Sequence, residues 1–535
     1  MTETIETDVA IVGCGPVGAL AANLLGVRGV RVVVLERDTA EHGQPRAFSC
    51  DDEALRVYQA AGVVDEVREH MVQAGRVHYT GVGGRKFAEL SLEGLDFGSG
   101  YPVLSFFYQP ELERTLRAGT ARFPHVELRP GHEVTALAQD AEGVTLEVRD
   151  HVGARALRVR ARWVLGCDGA RSAVRRLAGI GMQGMSYEEP WLAVSGEVED
   201  DALRLPDTRF VCDPGRPAFV GKGALHDYRV ELMLLPGETQ EEMEHPDTVR
   251  RLISPYVDPD RYRITRSVVY RFHNAVAERW RAGRVFLVGD AAHQMPPMMG
   301  QGLVSGLRDA LNLAWKLDLA LRGVAGSALL DSYEAERRPH VKAMADTSVG
   351  MGKLFMSRSR LAAGVRDRFF RAVQLVPRVR RFISGLEFKP LPVYPSGVML
   401  GGRRRGRNAP EGTLFPQGRV ETERGERLLS DHVLGGGFAV VAMGADPRAV
   451  APAADQGLWE ALGTTLVKVI PGDAPWTAHP PEVRVVRDLT GRFGEWFRKH
   501  GARVAVVRPD RFVFGAVRAE DAPVLARAVH QVFGT

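Results

Sequence analysis

Val9-Ala10-Ile11-Val12-Gly13-Cys14-Gly15-Pro16-Val17-Gly18 is the stretch that decides the fold. Its four leading apolar residues predict a strand, its glycines a tight turn, and Ala19 to Leu25 a helix. A second apolar strand, Val30 to Leu35, then ends in Glu36. A GxGxxG alone is weak evidence for any ligand, but strand, glycine turn, helix and strand in this order form a Rossmann-like βαβ unit. Such a turn lets the backbone approach a pyrophosphate, whose charge rests on the N–H groups at the helix start. Glu36 is placed to accept both hydroxyls of an adenosine ribose, with Arg37 beside it.

Two further glycine segments lie far along the chain. One is Gly166-Cys167-Asp168-Gly169-Ala170-Arg171-Ser172. The other is Gly289-Asp290-Ala291-Ala292-His293, which runs through Pro296-Pro297 to Gly300-Gln301-Gly302. With these three segments the chain resembles the group A flavoprotein aromatic hydroxylases, single-component FAD monooxygenases fed by NADH or NADPH. Within that group it is similar to the 3-(3-hydroxyphenyl)propionate hydroxylases. That likeness is carried by Pro45-Arg46-Ala47, Asp51-Asp52-Glu53-Ala54-Leu55-Arg56, Cys212-Asp213-Pro214 and Leu235-Pro236-Gly237-Glu238-Thr239. Asn312-Leu313-Ala314-Trp315-Lys316 and Arg508-Pro509-Asp510-Arg511-Phe512 add to it, so the blocks span nearly the whole chain.

The resemblance implies an α/β fold: a discontinuous GxGxxG Rossmann-like FAD domain, an inserted antiparallel-sheet substrate domain and a C-terminal thioredoxin-like domain. It implies FAD on Gly13, Gly15, Pro16, Gly18, Glu36 and Arg37, with Gly289 and Asp290 at the ribityl chain. Gly300, Gly302 and Leu303 then meet the pyrimidine edge, at the positive end of the long helix that follows. Arg46 and Pro297 neighbour the flavin, Gln109 its ribityl or phosphate region, and Val134 joins the cofactor shell. Asp168 contacts the pyrophosphate region or, on a plainer reading, caps the helix that Ser172 starts. No second GxGxxG follows a strand, which argues against a separate nicotinamide domain, and the resemblance implies that NAD(P)H docks transiently. O2 then gives a flavin C4a-hydroperoxide that hydroxylates a phenol ortho to its OH. His273 is the first candidate for a polar contact to the phenol, a backbone-bonded histidine being the alternative. Arg216, His226 and Arg229 are candidates for a substrate carboxylate, and Met298 and Met299 for the pocket mouth.

Composition agrees with this reading. The chain has 535 residues, too many for one hydrophobic core, with 45% hydrophobic and 25% charged residues. Its four cysteines (14, 50, 167 and 212) show neither paired nor metal-type spacing and read as reduced thiols of a cytoplasmic protein. The uncharged run from Val9 to Val27 is interrupted by the glycines and proline of the turn, so it is read as a βαβ unit and not as a membrane span. No basic leader precedes the first strand. A net charge of +4 does not call for a polyanionic partner. Arg403-Arg404-Arg405-Gly406-Arg407 lacks interleaved aromatics and reads as a solvated loop, not a nucleic-acid patch. The expected partner is a small phenolic molecule, and the expected state a monomer or homodimer.

Along the chain, 1–187 reads as the first part of the FAD domain and 188–271 as the substrate sheet. The latter has strands at Trp191 to Val198, Thr208 to Cys212, Ala218 to Gly223, Tyr228 to Leu235 and Ile264 to Tyr270. Residues 272–388 return to the FAD domain, with a helix from Ser305 to Arg322. Arginine-rich helices from Arg338 through Phe388 follow, the stretch Arg366 to Phe382 being interrupted by Pro377. A Pro/Gly-rich linker at 389–417 precedes the thioredoxin-like unit, 418–535, which has no cysteine and so no dithiol chemistry.

Some residues depart from the family pattern: Leu303-Val304 replaces an aromatic-Asn pair, Met298-Met299 a bulkier, partly polar pair, and Phe48-Ser49-Cys50 aliphatic residues. The methionines make the mouth apolar and adaptable, which leaves a natural-product phenol or pyridinol beside a phenylpropionate as substrate. Flavin halogenases share the fold but need a WxWxIP segment that this chain lacks. Non-catalytic FAD proteins of the same fold would not need the Pro296-Pro297 to Gly302 loop.

Overall fold

The computed structural model describes residues 3–534 except 41, 42, 44, 45, 154, 155, 187–189, 377–388, 405, 407, 452–455 and 477. Pro45, Arg405, Arg407, Pro377, Phe382 and Phe388 from the sequence reading, and the expected boundary at 187/188, lie outside the described residues. So does the residue before the expected boundary at 388/389. The chain forms two compact units: residues 1–95, 102–308 and 341–390, and residues 96–101, 309–340 and 391–535.

In the first unit the strand Glu3–Val12 is central because Val9, Ala10 and Ile11 are fully buried, as a strand covered on both faces requires. It pairs in parallel with Val32–Glu36 on one side and Ala156–Gly166 on the other. The parallel sheet extends to Val126–Pro130 and Val285–Leu287. An antiparallel meander, His132–Gln139 and Val144–Asp150, feeds Ala156–Gly166. The helix Pro16–Gly26 follows the first strand directly, completing the expected βαβ unit.

The second sheet of this unit has seven strands, in the order Tyr262–Tyr270, Trp191–Val198, Asp227–Met233, Ala218–Lys222, Thr208–Val211, Arg76–Thr80 and Lys86–Ser91. Five of them lie where the alternating pattern predicts. The hairpin from residues 76–91 was not expected there; it joins through a parallel pairing of Arg76–Thr80 with Thr208–Val211, a long-range contact that leaves no local signature. Leu192, Val194, Val230 and Leu232 point to one face, where Met243, Val249 and Ile253 of the helices Gln240–Glu244 and Pro246–Ile253 close a core. The opposite face carries the polar and aromatic residues of the site.

The second unit is built on a seven-stranded mixed sheet in which Ala439–Met443 lies next to the middle strand, Thr465–Pro471. Ala439–Met443 is parallel to Thr465–Pro471 and antiparallel to Val504–Val507, which forms a hairpin with Val513–Val517. The helices Gln456–Ala461 and Ala522–Phe533 complete the βαβ and ββα halves of a thioredoxin-like arrangement. Side chains alternate, with Val440 and Ala442 in one core and Ala439 and Val441 in the other. Residues 309–340, expected with the FAD domain, belong to this unit because Trp315, Leu319 and Leu329 pack into its core.

A buried ionic network explains that assignment. Glu336, fully buried, accepts from Lys316 Nζ at 2.7 Å and from Arg508 Nη1 and Nη2 at 2.7 and 2.8 Å. Asp510 accepts from Arg508 and from Trp315 Nε1 at 3.1 Å. Burial would raise the Glu336 carboxyl, but Arg508 and Lys316 overcome it and hold it at about 2. Burial pushes Lys316 down to about 8 despite Glu336. Removing one partner strands the others in a dry interior, so Glu336→Ala should destabilise this unit by about 3–5 kcal/mol in denaturant titrations. A loss below about 1 kcal/mol would show that the network does not hold these helices.

Candidate active site

The glycines of the first turn serve two different purposes. Gly13 has φ 98°, and a methyl carbon there would lie 2.6 Å from the Cys167 carbonyl oxygen. One at Gly18 would lie 2.0 Å from the Gly13 carbonyl oxygen. Both are therefore required by the chain's own packing. Gly15 faces open space, with no atom within 4 Å of such a carbon. It caps a helix whose first turn starts with Pro16 and whose cap has no side-chain hydrogen bond, so its bare backbone fits a pyrophosphate. Glu36 is held in place, its Oε2 accepting from the Cys14 N–H at 2.7 Å and its Oε1 from the Asp38 N–H at 3.1 Å. Arg37 is exposed beside Asp38.

Asp168 caps a helix: its carboxylate accepts from Ser172 Oγ and, at 3.0 Å, from the Val174 N–H. The same segment lies against Gly13, so the cap and the glycine turn meet. Gly289 and Asp290 form a single helical turn after the strand Val285–Leu287. The Asp290 side chain is solvent-accessible, although the surrounding protein still desolvates its carboxyl. Burial there raises its carboxyl, against the pull of His293 and Arg46. Pro297, Met298 and Met299 make a further turn, and Gly300 (φ 63°) leads into the long helix Gln301–Leu321. Gly302, in the helix's first turn, faces open space like Gly15, its nearest neighbour Met295 Cγ at 3.9 Å from an added carbon. Leu303 is half-buried, whereas Val304 is fully buried, a packing residue.

The start of this helix is fixed by a buried cluster whose role the sequence reading missed. Asp51 Oδ2 accepts from Arg308 Nη2 at 2.7 Å, Lys389 Nζ at 2.7 Å and Gln301 Nε2 at 3.3 Å. Arg308 Nε also donates to Glu53 at 2.8 Å. Asp51 Oδ1 caps the helix Asp52–Ala60 through the Ala54 N–H. Burial opposes ionisation of Asp51, but Arg308 and Lys389 hold its carboxyl well below the usual range. The acidic run after Cys50 was a visible signal for a helix cap, and its distant cationic partners were not.

The open face of the seven-stranded sheet presents cross-strand rows: Arg229, Ser195 and Arg266; Glu231, Ala193 and Val268; Met233, Trp191 and Tyr270. Arg229 is buried, not surface-exposed; its Nη1 donates to the Arg46 carbonyl at 2.7 Å, and it stacks over Phe48. Gln109 holds the same loop, its Oε1 accepting from the N–H groups of Arg46 and Ala47 at 2.8 and 2.6 Å. Met298 packs against Trp191, Met233, Phe272 and Met356. The structure thus brings together Arg46, Gln109, Arg229 and, through Arg46, Asp290. Other candidates lie apart. Arg216 is tied to Glu238 by two hydrogen bonds, His226 sits exposed in a strained turn (φ 61°), and His273 is exposed on the strand His273–Ala277. Val134 is buried opposite Val148 within the meander.

Comparison with known proteins matches residues 6–348 to the FAD binding domain family and residues 412–532 to the HcaD C-terminal domain. The chain is 40% identical to the 3-(3-hydroxy-phenyl)propionate/3-hydroxycinnamic acid hydroxylase of Mycobacterium sp. (strain KMS), over 98% of this chain and 91% of that one. It is 38% identical to that of Klebsiella pneumoniae (strain 342), over 95% and 91%. Among solved structures, the flavin-dependent monooxygenase PieE with FAD and substrate superposes with a TM-score of 0.80 at 24% identity, over 98% and 99% of the two chains. The p-nitrophenol 4-monooxygenase PnpA of Pseudomonas putida gives 0.65 at 29%, over 72% and 98%.

The two kinds of glycine separate experimentally. Gly15→Ala should leave apoprotein stability within about 0.5 kcal/mol but weaken FAD binding about tenfold or more in a fluorescence titration. Gly18→Ala should instead destabilise the apoprotein by about 1–3 kcal/mol. Equal effects of the two on folding would contradict this division. Matched along nearly its whole length, the chain belongs to the group A FAD-dependent aromatic hydroxylases.

Proposed function

We propose that this protein hydroxylates the ring of a small phenolic acid, ortho to the phenol, at the expense of NAD(P)H and O2. The observation that carries the acidic arm is Arg229. It is buried and lies over the Phe48 ring, and burial together with the charges of Arg229 and Arg46 lowers the pKa of Arg266 on the neighbouring strand. Glu231 is the carboxylate of this face closest to them, 3.6 Å from Arg229 and bonded to the Tyr270 hydroxyl. Converging guanidiniums of this kind favour an anion, which a guanidinium can take with two parallel hydrogen bonds. Phenylpropionate hydroxylation by the curated relatives supports the same class of substrate.

Bound FAD supplies electron acceptance from NAD(P)H and activation of O2. The chain supplies everything else. Gly15 and the helix start behind it take the pyrophosphate, Glu36 the adenosine ribose and Asp290 the ribityl hydroxyls. The main chain at Gly302 and Leu303 meets the pyrimidine edge. Gln109 and Arg229 fix the Arg46 loop from both sides. Phe48, Phe219, Trp191, Tyr270 and Met298 give the ring a dry, apolar wall, which protects the oxygen-transfer step from water. Pro297 places its turn at the mouth, beside the methionines. His273, exposed on its strand, takes no part in this proposal.

A series of meta-substituted phenols with and without a carboxylate tests the substrate class, read as stimulated NAD(P)H oxidation and hydroxylated product per NAD(P)H consumed. Acidic phenols should give the higher kcat/KM and the tighter coupling. Arg229→Met should raise their KM about 10- to 100-fold, and that of neutral phenols less. A preference for neutral phenols, or an unchanged KM in the variant, would favour a natural-product phenol or pyridinol instead.

A further inference from the structure

Two buried groups on one strand lack partners that their chemistry demands. Asp227 and Arg229 are two residues apart on the strand Asp227–Met233 and so point to the same face. Each is 2% exposed. Among the described residues, neither carboxylate oxygen of Asp227 has a hydrogen-bond partner, nor does Arg229 Nη2. The rest of the guanidinium is committed, with Nε on Ser195 Oγ at 3.2 Å and Nη1 on the Arg46 carbonyl. Asp227 also borders the aromatic wall, because a methyl carbon at Gly223 would lie 3.1 Å from Asp227 Oδ2 and 2.8 Å from Phe48 Cε2.

The charged and titratable groups around Asp227 come from every neighbouring element. Arg229 lies on its own strand, Glu197 on Trp191–Val198, Tyr262 and Arg263 on Tyr262–Tyr270, and Tyr108 before the helix Gln109–Thr120. Arg263 is paired with Glu197, and the Tyr262 hydroxyl donates to the Tyr228 carbonyl at 2.6 Å. That leaves Arg229 as the cation acting directly on Asp227, with Arg46, Arg266 and Glu231 around Arg229 itself.

We propose that Asp227 and the carboxyl group of the substrate share one proton beside the Arg229 guanidinium, so that binding an acidic phenol takes up a proton from solution. This rests on the reading that Arg229 receives the substrate's acidic arm. Burial pushes the Asp227 carboxyl up to about 6, with Arg229 pulling it back and Glu197 adding to the rise. In neutral solution the free protein therefore holds Asp227 largely ionised. A second carboxylate arriving at the same cation makes a like-charged pair, and such a pair retains one proton. The unpartnered oxygens then gain an O–H between them, and Nη2 gains an acceptor. Above about pH 6 the affinity for an acidic phenol should fall towards tenfold per pH unit, while that for a neutral phenol of the same shape should not.

Calorimetric titration of the FAD-loaded enzyme at pH 7.5, without NAD(P)H, in phosphate and in Tris gives the number of protons taken up per ligand. The probes are 3-(3-hydroxyphenyl)propionate and 3-propylphenol. The expected values are close to one for the acid and close to zero for the neutral phenol, with Asp227→Asn abolishing the uptake while still binding the acid. Binding of the acid to the unmodified enzyme without proton uptake would overturn the shared proton but leave the acidic-arm reading standing. If 3-propylphenol binds and the acid does not at any pH from 5.5 to 8, the acidic arm itself is wrong and the shared proton falls with it.

Discussion

Asp51 is the constraint around which the candidate site is arranged. One buried carboxylate takes hydrogen bonds from Arg308, Lys389 and Gln301 and caps a second helix through the Ala54 N–H. It therefore joins segments at residues 51, 301–308 and 389 in one place. Its pairing decides where the helix Gln301–Leu321 begins, and with it where the backbone of Gly302 and Leu303 is offered. A single buried anion with several donors is also demanding: losing any cation leaves uncompensated charge in a dry interior. The turn that presents Gly15 is set by sterics instead, through Gly13 and Gly18, which have no room for a side chain.

The sheet face works by a different balance. The Arg229 guanidinium lies over the Phe48 ring and is held by Ser195 Oγ and the Arg46 carbonyl, with Arg266 close enough to feel its charge. The neighbouring carboxylates, Glu231 and Asp227, are tied to a phenol hydroxyl in the first case and unpartnered in the second. Rings and charge thus lie side by side. A ligand suited to this face needs a flat apolar body and a polar end, and the two ends are recognised by unrelated physics: apolar burial and charge-assisted hydrogen bonding.

What was legible in the sequence was whatever chemistry is local. Val9 to Glu36 announces its turn through residues adjacent in the chain, and strand alternation from Trp191 to Tyr270 is a period-two signal that needs no partner to be read. The Asp51 contacts span 257 residues to Arg308 and 338 to Lys389, and nothing near Asp51 points to either. The same holds for the hairpin at 76–91, and for residues 309–340, whose place depends on Arg508. Arg229 was legible as a residue type suited to a carboxylate, but not as buried, because burial follows from Ser195 on another strand and Phe48 in a distant loop. His226 and Arg216 had the same chemistry, and the fold set one in an exposed turn and gave the other to Glu238.

In the proposed site two helix starts, at Gly15 and at Gly302, hold the FAD. Hydrogen–deuterium exchange of the apoprotein before and after FAD addition tests it directly, because an amide that donates to a ligand exchanges more slowly than one facing water. Strong protection is expected at the amides of Gly15, Val17 and Gly18 and of Gly302 through Val304, with no change in the strand Ala439–Met443. Saturating FAD that leaves both helix starts exchanging as in the apoprotein would contradict it.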